Sequence, residues 1–301
     1  MIFVKLLITS DWHLRGTVPS CVDATPTEWM DIQRQALEKV KSIALREGVS
    51  AILCGGDIFH SDASTTFECV TMVQRFAKDL REESSKERGY PGILFYILSG
   101  NHDLPYHSSE NLDKAAVGIL YNSDNVGDME TDCFVKGCNF DRDDYEGREA
   151  IFKHVLTIPK EQVPFGVECE TPESLLEKYP AKWVFTGDYH HNFHYEKDGR
   201  HVINAGCLTK QAADFENYHT GVYIVDIDSE TVAFQLVDIP QKFVKNGGKS
   251  KAADKSVEDF ANSIKRESVT LDFISELREK SRTQKEAVKE KVGGWIEKIG
   301  Q

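Results

Sequence analysis

Acidic and imidazole side chains follow short apolar runs at five separated places in this sequence. Each of these residue types can bind a metal ion or move a proton. The residues are Asp11 and His13, Asp57, Asn101 with His102 and Asp103, His154, and Asp188 with His190. A pair of divalent cations needs one carboxylate that can bridge them, with mixed oxygen and nitrogen ligands around each ion. The set therefore predicts a dinuclear metal centre with Asp57 as the bridge.

The chemistry that such a centre performs is the hydrolysis of phosphoesters. Two divalent cations roughly 3.5 to 4 Å apart generate a bridging hydroxide at neutral pH and hold a phosphate for in-line displacement. The mixed ligand set suits manganese, iron or zinc better than calcium. Glycine precedes the ligands in Gly55-Gly56-Asp57 and Gly100-Asn101, where it allows a sharp turn and a close approach to an anion.

These ligands need a scaffold that brings distant segments to one place. The apolar runs before them have the length of buried strands, and helix-length amphipathic stretches separate them. We expect helices over residues 27–47 and 66–84, β structure over 118–140, and antiparallel strands between 201 and 239. In an α/β sheet the carboxyl ends of parallel strands share one edge, where ligands gather. The order predicts an α/β fold of two mixed β-sheets packed face to face and flanked by helices.

Composition and charge argue against several classes of protein, among them membrane-spanning, secreted and disulfide-rich proteins. The net charge of −13 argues against a broad basic face for nucleic acid, although residues 241–301 carry a small positive excess. No apolar run approaches the roughly 18 residues of a membrane span, and the N-terminus lacks the pattern of a secretory leader. We therefore expect a cytoplasmic protein. The seven cysteines show no Cys-x-x-Cys spacing, which favours neither a zinc ribbon nor a disulfide framework.

The sequence predicts a domain division near residue 240. Residues 1–240 contain every candidate ligand and form the predicted catalytic domain. The polar stretch 245–255 is typical of a linker, and two helices are expected after it. Because so polar a helix pair rarely forms a core of its own, residues 241–301 are predicted to dock on a partner.

The motif set resembles the calcineurin-like metallophosphoesterase superfamily. The resemblance covers residues 1–240 and rests on Asp11-x-His13, Gly56-Asp57, Gly100-Asn101-His102-Asp103, His154 and Gly187-x-x-His190. Within the superfamily, the run from Gly55 to His60 is similar to the nuclease subunit of SbcCD-type DNA repair complexes, including their phage versions. The resemblance implies a manganese-dependent 3′-to-5′ DNA exonuclease with single-strand endonuclease activity. It also implies a coiled-coil ATPase of the SbcC type as partner, and a homodimer as a further expectation.

The resemblance also implies a role for each motif residue. Ligands of the first ion would be Asp11, His13, Asp57 and His190, and those of the second Asp57, Asn101, His154 and Asp188. His102 would protonate the leaving oxygen or stabilise its charge, with Asp103 orienting it. His60 would lie near the nucleic-acid strand.

One position departs from the family pattern and leaves alternatives open. The family usually has Gly-His-x-His where this chain has Gly187-Asp188-Tyr189-His190, so an aspartate replaces the first histidine. The aspartate should favour a harder metal, and His191 or His194 are alternative ligands. Asp188 could also be a turn residue without metal contact, and His154 a hydrogen-bonded core histidine.

Alternatives remain for the function as well. The same scaffold and metals can serve a small-molecule phosphodiesterase or phosphatase, because the fold does not choose the substrate. A scaffold subunit that is poor in metal and not an enzyme is the third hypothesis.

Overall fold

A computed structural model describes residues 4–61, 65–88, 92–140, 142 and 147–244 of this chain. These residues belong to one compact unit, Met1–Val244. The linker and helices predicted for residues 241–301 lie almost wholly outside the described residues, and the domain division near residue 240 stays a prediction. None of the described helices combines the length and the apolar character required to cross a membrane.

Strands of the described residues form two mixed β-sheets. The first sheet has the order β11 (Thr231–Leu236), β10 (Gly221–Asp226), β1 (Lys5–Thr9), β2 (Ala51–Cys54), β3 (Leu94–Ile97) and β4 (Gly127–Asp128). The second has the order β5 (Lys136–Cys138), β6 (Ala150–His154), β7 (Trp183–Gly187), β9 (Arg200–Asn204) and β8 (Phe193–Lys197). Strands β1 to β4 are parallel, as are β5, β6, β7 and β9, whereas β8, β10 and β11 pair antiparallel.

Helices cover the outer faces of both sheets. Helix α1 (Pro26–Glu47) begins at a capping box in which Thr25 and Glu28 satisfy each other's backbone amides, and it ends at a left-handed Gly48. Helices α2 (Phe67–Arg88), α3 (Ala116–Tyr121) and α4 (Pro172–Lys178) follow. The first two helices agree with the predicted spans to within a few residues.

Alternate residues of β1 and β2 point into two different cores. Leu6, Ile8 and Leu53 are buried between the sheets, against a layer that includes Phe152 and Phe185. Leu7 and Ile52 point the other way, into the layer with α1 and α2. Burial of a side chain of this size stabilises the folded state by about 1.5–3 kcal/mol. Because β1 and β2 bury side chains on both faces, burial determines the orientation of these strands. The arrangement is the predicted sandwich of two mixed sheets flanked by helices.

Two local predictions were wrong. Residues 118–121 belong to α3, and only β4 and β5 are strands within the described part of 118–140, because Val117 and Leu120 pack at helical spacing into the core beside the first sheet. Strand β8 was missed, since it is an edge strand with exposed polar residues and a weak apolar pattern. It pairs antiparallel with β9, which runs parallel to β7 on its other side.

Candidate dinuclear metal centre

The candidate ligands lie at the carboxyl ends of parallel strands from both sheets. Asp11 and His13 follow β1, Asp57 follows β2, Asn101 follows β3, His154 ends β6, and Asp188 and His190 follow β7. The loops after β1 and β2 are tied together by hydrogen bonds from the Asp11 amide to the Gly56 carbonyl (3.0 Å) and from the His13 amide to the Asp57 carbonyl (2.9 Å). The two loops therefore present their side chains in a fixed register.

Four candidate ligands have a left-handed backbone conformation. The φ angles are 52° at Asp11, 45° at His13, 50° at Asp57 and 82° at Asp188. Such angles cost non-glycine residues about 1–3 kcal/mol each and persist where the surrounding structure enforces them, commonly at functional sites. Gly56 has φ 102°, and a Cβ atom there would lie 2.7 Å from both the Gly100 amide nitrogen and His154 Nδ1. Glycine is thus required at this position by conformation and by space.

Asp57 lies between the two groups of candidate ligands. Its Oδ1 accepts a hydrogen bond from the His102 amide at 2.9 Å. Its Oδ2 is buried without a hydrogen-bond partner among the described residues, 3.6 Å from His13 Nε2 and 3.5 Å from His154 Nε2. A buried carboxylate oxygen that accepts no hydrogen bond is costly, and this oxygen could share one cation with the imidazole on one side and a second cation with the imidazole on the other. This geometry fits a pair of metal ions.

The first group of ligands surrounds His13. The ligand atoms of Asp11, His13 and His190 lie within 4.8 Å of one another. His13 Nε2 is 2.9 Å from His190 Nε2 and 3.9 Å from Asp11 Oδ1. Burial holds the pKa of His13 well below its usual value, so its ring is neutral and able to ligate. These residues can hold one divalent cation together with Asp57.

The second group surrounds His154, which is fully buried. Its Nδ1 lies 2.7 Å from the Gly55 carbonyl, to which it donates, so Nε2 is left facing the site. Nε2 is 3.0 Å from Asn101 Oδ1 and 4.0 Å from Asp188 Oδ1. A ligating histidine commonly donates its other nitrogen to a carbonyl in this way. With Asp57, these residues can hold a second cation.

The two histidines considered as substitutes for Asp188 lie elsewhere. The ring of His191 packs on Phe215 at 4.6 Å, and His194 Nε2 is 3.0 Å from His201 Nδ1. Asp188 is the residue of the three that the structure places beside His154. Its amide also donates to the Asp11 carboxylate at 3.1 Å, which links the two ligand groups.

His102 and His60 flank the first ligand group. The His102 ring lies 5.0 Å from that of His13 and stacks on the His60 ring at 5.6 Å with an interplanar angle of 13°. Its Nδ1 is 2.7 Å from the His60 carbonyl. Since that oxygen can only accept, the hydrogen is on Nδ1 and Nε2 is available for proton transfer.

Asp103 has a different role from the predicted one. Its carboxylate accepts the amides of Phe59 (2.9 Å), Gly100 (3.0 Å) and Ile58 (3.2 Å). It therefore holds the loops after β2 and β3 together, while the His60 carbonyl orients the His102 ring. Burial, and then the charge of Asp57, raise the pKa of Asp103 to about 7. Sequence alone could not distinguish these roles, because Asp103 is adjacent to His102 in either case.

The site concentrates negative charge in the protein interior. Burial raises the pKa of Asp11 to about 6. Burial acts against ionisation of His154, but the charge of Asp57 outweighs it and raises the pKa of His154 to about 10. The opposed charge of His154 in turn overcomes burial at Asp57 and lowers the pKa of that carboxyl. Several buried carboxylates need compensating positive charge, from protons or from bound cations, and the mixed donor set suits cations.

Arg15, which belongs to none of the motifs, lies beside His60. Burial and then the charge of Arg15 lower the pKa of His60 to about 4. No spacing or motif signals this contact, because the proximity of Arg15 to His60 depends on the pairing of Leu14 with Phe59 in adjacent segments.

The chain is similar to one known protein family and to several solved structures. Residues 4–192 match the family described as calcineurin-like phosphoesterase. No curated protein sequence matches the chain. Among solved structures, TT1561 of Thermus thermophilus is 15% identical with a TM-score of 0.45, over 78% of this chain and 100% of that one. An archaeal phosphodiesterase is 14% identical with a TM-score of 0.38, over 77% and 99%. Yfce, a phosphoesterase from E. coli, is 14% identical with a TM-score of 0.36, over 78% and 100%. Structural similarity this distant transfers neither an activity nor a substrate.

Proposed function

Because this chain belongs to the calcineurin-like phosphoesterase family, and is therefore a metal-dependent phosphoester hydrolase, we propose that it is a phosphodiesterase acting on DNA. The observation that carries the hydrolytic part is the buried Asp57 Oδ2, which accepts no hydrogen bond among the described residues and lies between His13 and His154. The first cation would be held by Asp11, His13, Asp57 and His190, and the second by Asp57, Asn101, His154 and Asp188. When bound, two such ions lower the pKa of a water molecule and neutralise charge on the phosphate. We propose manganese as the metal.

His102 supplies the proton for the leaving group in this proposal. Its Nδ1 is engaged by the His60 carbonyl, so its Nε2 is the atom that can transfer a proton. Its amide is held by Asp57 Oδ1, which couples the position of the acid to that of the bridging carboxylate. Asp103 holds the loops after β2 and β3 together through three backbone amides. Positioned proton transfer of this type contributes about 10²–10⁴-fold to a rate.

DNA is proposed as the substrate on the resemblance to SbcD-type nucleases. The supporting feature is the run from Gly55 to His60, which ends with His60 partly exposed and stacked on the proposed acid, His102. The acidic net charge of −13 limits unaided binding to DNA. We therefore also propose a coiled-coil ATPase of the SbcC type as partner and a homodimer as the assembled state, with a cytoplasmic location and a role in DNA repair.

A manganese titration with linear, circular, single-stranded and duplex DNA tests the proposal. Mn²⁺-dependent release of nucleotides from linear DNA, lost in Asp57→Asn, supports it. Asp198→Asn is the matched control, because Asp198 is exposed in the turn after β8 and has the same left-handed backbone. Hydrolysis restricted to small esters such as bis(p-nitrophenyl) phosphate would reject DNA in favour of a small-molecule substrate. Fewer than two bound ions with background hydrolysis of every ester would indicate a scaffold subunit.

A further inference from the structure

We propose that Arg15 and His60 form a subsite for a second phosphate of the substrate, next to the phosphate that is cleaved. This inference rests on the proposed function and narrows the substrate to a chain with at least two phosphates, a polynucleotide. It concerns a residue that none of the motifs includes.

The backbone of Arg15 is fixed on both sides. Its amide donates to Gln33 Oε1 at 2.9 Å. Its carbonyl accepts from Trp29 Nε1 at 3.2 Å and from Gln33 Nε2 at 3.0 Å. Both partners belong to α1 and are buried. The backbone of Arg15 is therefore held in place against α1.

The Arg15 side chain has no partner for its charge among the described residues. Its Nε is buried without a hydrogen bond, and no carboxylate in the described part of the chain lies within ion-pair distance of its guanidinium. Arg34 and Arg46, which are exposed, are both paired with acidic side chains. A buried donor without a partner costs about 1–3 kcal/mol, and such exceptions call for an explanation. An anion bound at this point would supply the missing acceptor.

The position of Arg15 places that anion beside the metal centre. Leu14 and Phe59 form a parallel bridge, and the His60 amide donates to the Leu14 carbonyl at 3.2 Å. Arg15 and His60 are the next residues on these two paired segments. The His60 ring lies 5.5 Å from that of His13, a ligand of the first ion. Both Arg15 and His60 are partly exposed, so a ligand can reach them from solvent.

A phosphate is the anion that this pair fits. The planar guanidinium donates two parallel hydrogen bonds to phosphate oxygens, and an imidazole can donate a third. Arg15 lies on the segment paired with that of His60, whose ring is 5.5 Å from that of His13, so we infer that Arg15 reaches a phosphate adjacent to the one held by the cations. A substrate with a single phosphate has nothing to place there.

Binding of a fluorescent single-stranded oligonucleotide, with Ca²⁺ in place of Mn²⁺ to prevent turnover, tests the subsite. Arg15→Gln should weaken binding about 10- to 100-fold, as expected for a charge-assisted contact. It should also reduce the slope of log K against log salt by about 0.7, the value for one phosphate contact to a single strand. Arg15→Lys should retain the slope and recover part of the affinity. Arg46→Gln, which removes a paired and exposed charge, should leave both quantities unchanged.

Kinetics separate this inference from the proposed function. The loss in kcat/KM caused by Arg15→Gln should be at least about fivefold greater on the oligonucleotide than on bis(p-nitrophenyl) phosphate. It should appear as an increase in KM rather than as a decrease in kcat. Equal losses on both esters, or a salt slope identical to that of the wild type, would refute the subsite. Thermal melting of each variant verifies that it is folded. Absence of DNA hydrolysis by the wild type would overturn the proposed function, while an Arg15-dependent salt slope in the same protein would still support the phosphate contact.

Discussion

Replacing Asp57 by asparagine should abolish metal-linked stabilisation and hydrolysis together. Asparagine has nearly the same volume and retains an oxygen that can accept from the His102 amide, as Asp57 Oδ1 does at 2.9 Å. What changes is the atom between the two imidazoles, 3.6 Å from His13 Nε2 and 3.5 Å from His154 Nε2. There an amide NH₂ replaces a charged oxygen, and an NH₂ group offers no lone pair to a cation.

The expected magnitude follows from linkage between metal binding and folding. Mn²⁺ at about 100 times its Kd stabilises the folded protein by about 2.7 kcal/mol for one site. In a domain of this size, 1 kcal/mol corresponds to about 2–4 °C in Tm. The Tm of the wild type should therefore rise by at least about 5 °C on Mn²⁺ addition. The variant should rise by less than about 2 °C, and its phosphodiesterase rate should fall by more than about 100-fold, since even residues behind the ligands contribute up to that factor.

Differential scanning fluorimetry with and without Mn²⁺ measures the rise in Tm, and metal analysis after gel filtration counts the bound ions. Hydrolysis of bis(p-nitrophenyl) phosphate measures the phosphodiesterase rate. Asp198→Asn provides the control, because it also removes one carboxylate from a left-handed residue but at an exposed turn. It should behave as the wild type in all three assays.

A full Mn²⁺ response in Asp57→Asn would refute the bridging role of this carboxylate. The same holds if the variant binds two ions and retains more than about a tenth of the wild-type rate. A variant that is unfolded without metal would instead be evident from the absence of a cooperative transition.

Further predictions concern the proposed proton donor His102, the candidate ligand Asp188 at which this chain departs from the family pattern, and the pH dependence of stability. His102→Asn should lower the rate of DNA hydrolysis by about 10²–10⁴-fold. It should lower the rate on bis(p-nitrophenyl) phosphate much less, because p-nitrophenolate leaves without a proton. Equal losses of rate on the two esters, measured in a stopped assay, would argue against an acid role for His102. Asp188→His should shift the ratio of Zn²⁺ to Mn²⁺ affinity toward Zn²⁺, since an imidazole is a softer ligand than a carboxylate. Competitive titration of the two metals measures this ratio. An unchanged ratio would show that Asp188 does not ligate the metal. The pKa values of Asp11, Asp103 and His154 are raised to about 6, 7 and 10, so the metal-free folded protein holds these protons more tightly than the unfolded chain. Its stability should therefore decrease as pH rises through these values. Because bound cations would replace the protons of the candidate ligands Asp11 and His154, the Mn²⁺-induced rise in Tm should grow between about pH 6 and about pH 8. A rise in Tm that is independent of pH would contradict this assignment.

The sequence by itself determined which residues could ligate and which chain segments carry them. Asp11, Asp57 and Asn101 each follow an apolar run within a few residues, and this is a local relation that survives in any parallel sheet. The requirement for glycine at Gly56 was also readable, since the residue stands directly before a ligand. The family resemblance, confirmed over residues 4–192, rests on the same short motifs.

Only the tertiary structure decided how these segments face one another. It placed Asp57 Oδ2 between imidazoles from both sheets, assigned Asp103 to backbone amides rather than to His102, and left Arg15 without a counter-ion among the described residues. The physical reason is that hydrogen bonding and charge compensation of a buried group depend on neighbours distant in sequence. Local sequence patterns indicate which chemistry a side chain can perform. The packing of sheets and helices determines which partners lie within hydrogen-bonding or ion-pair distance of it.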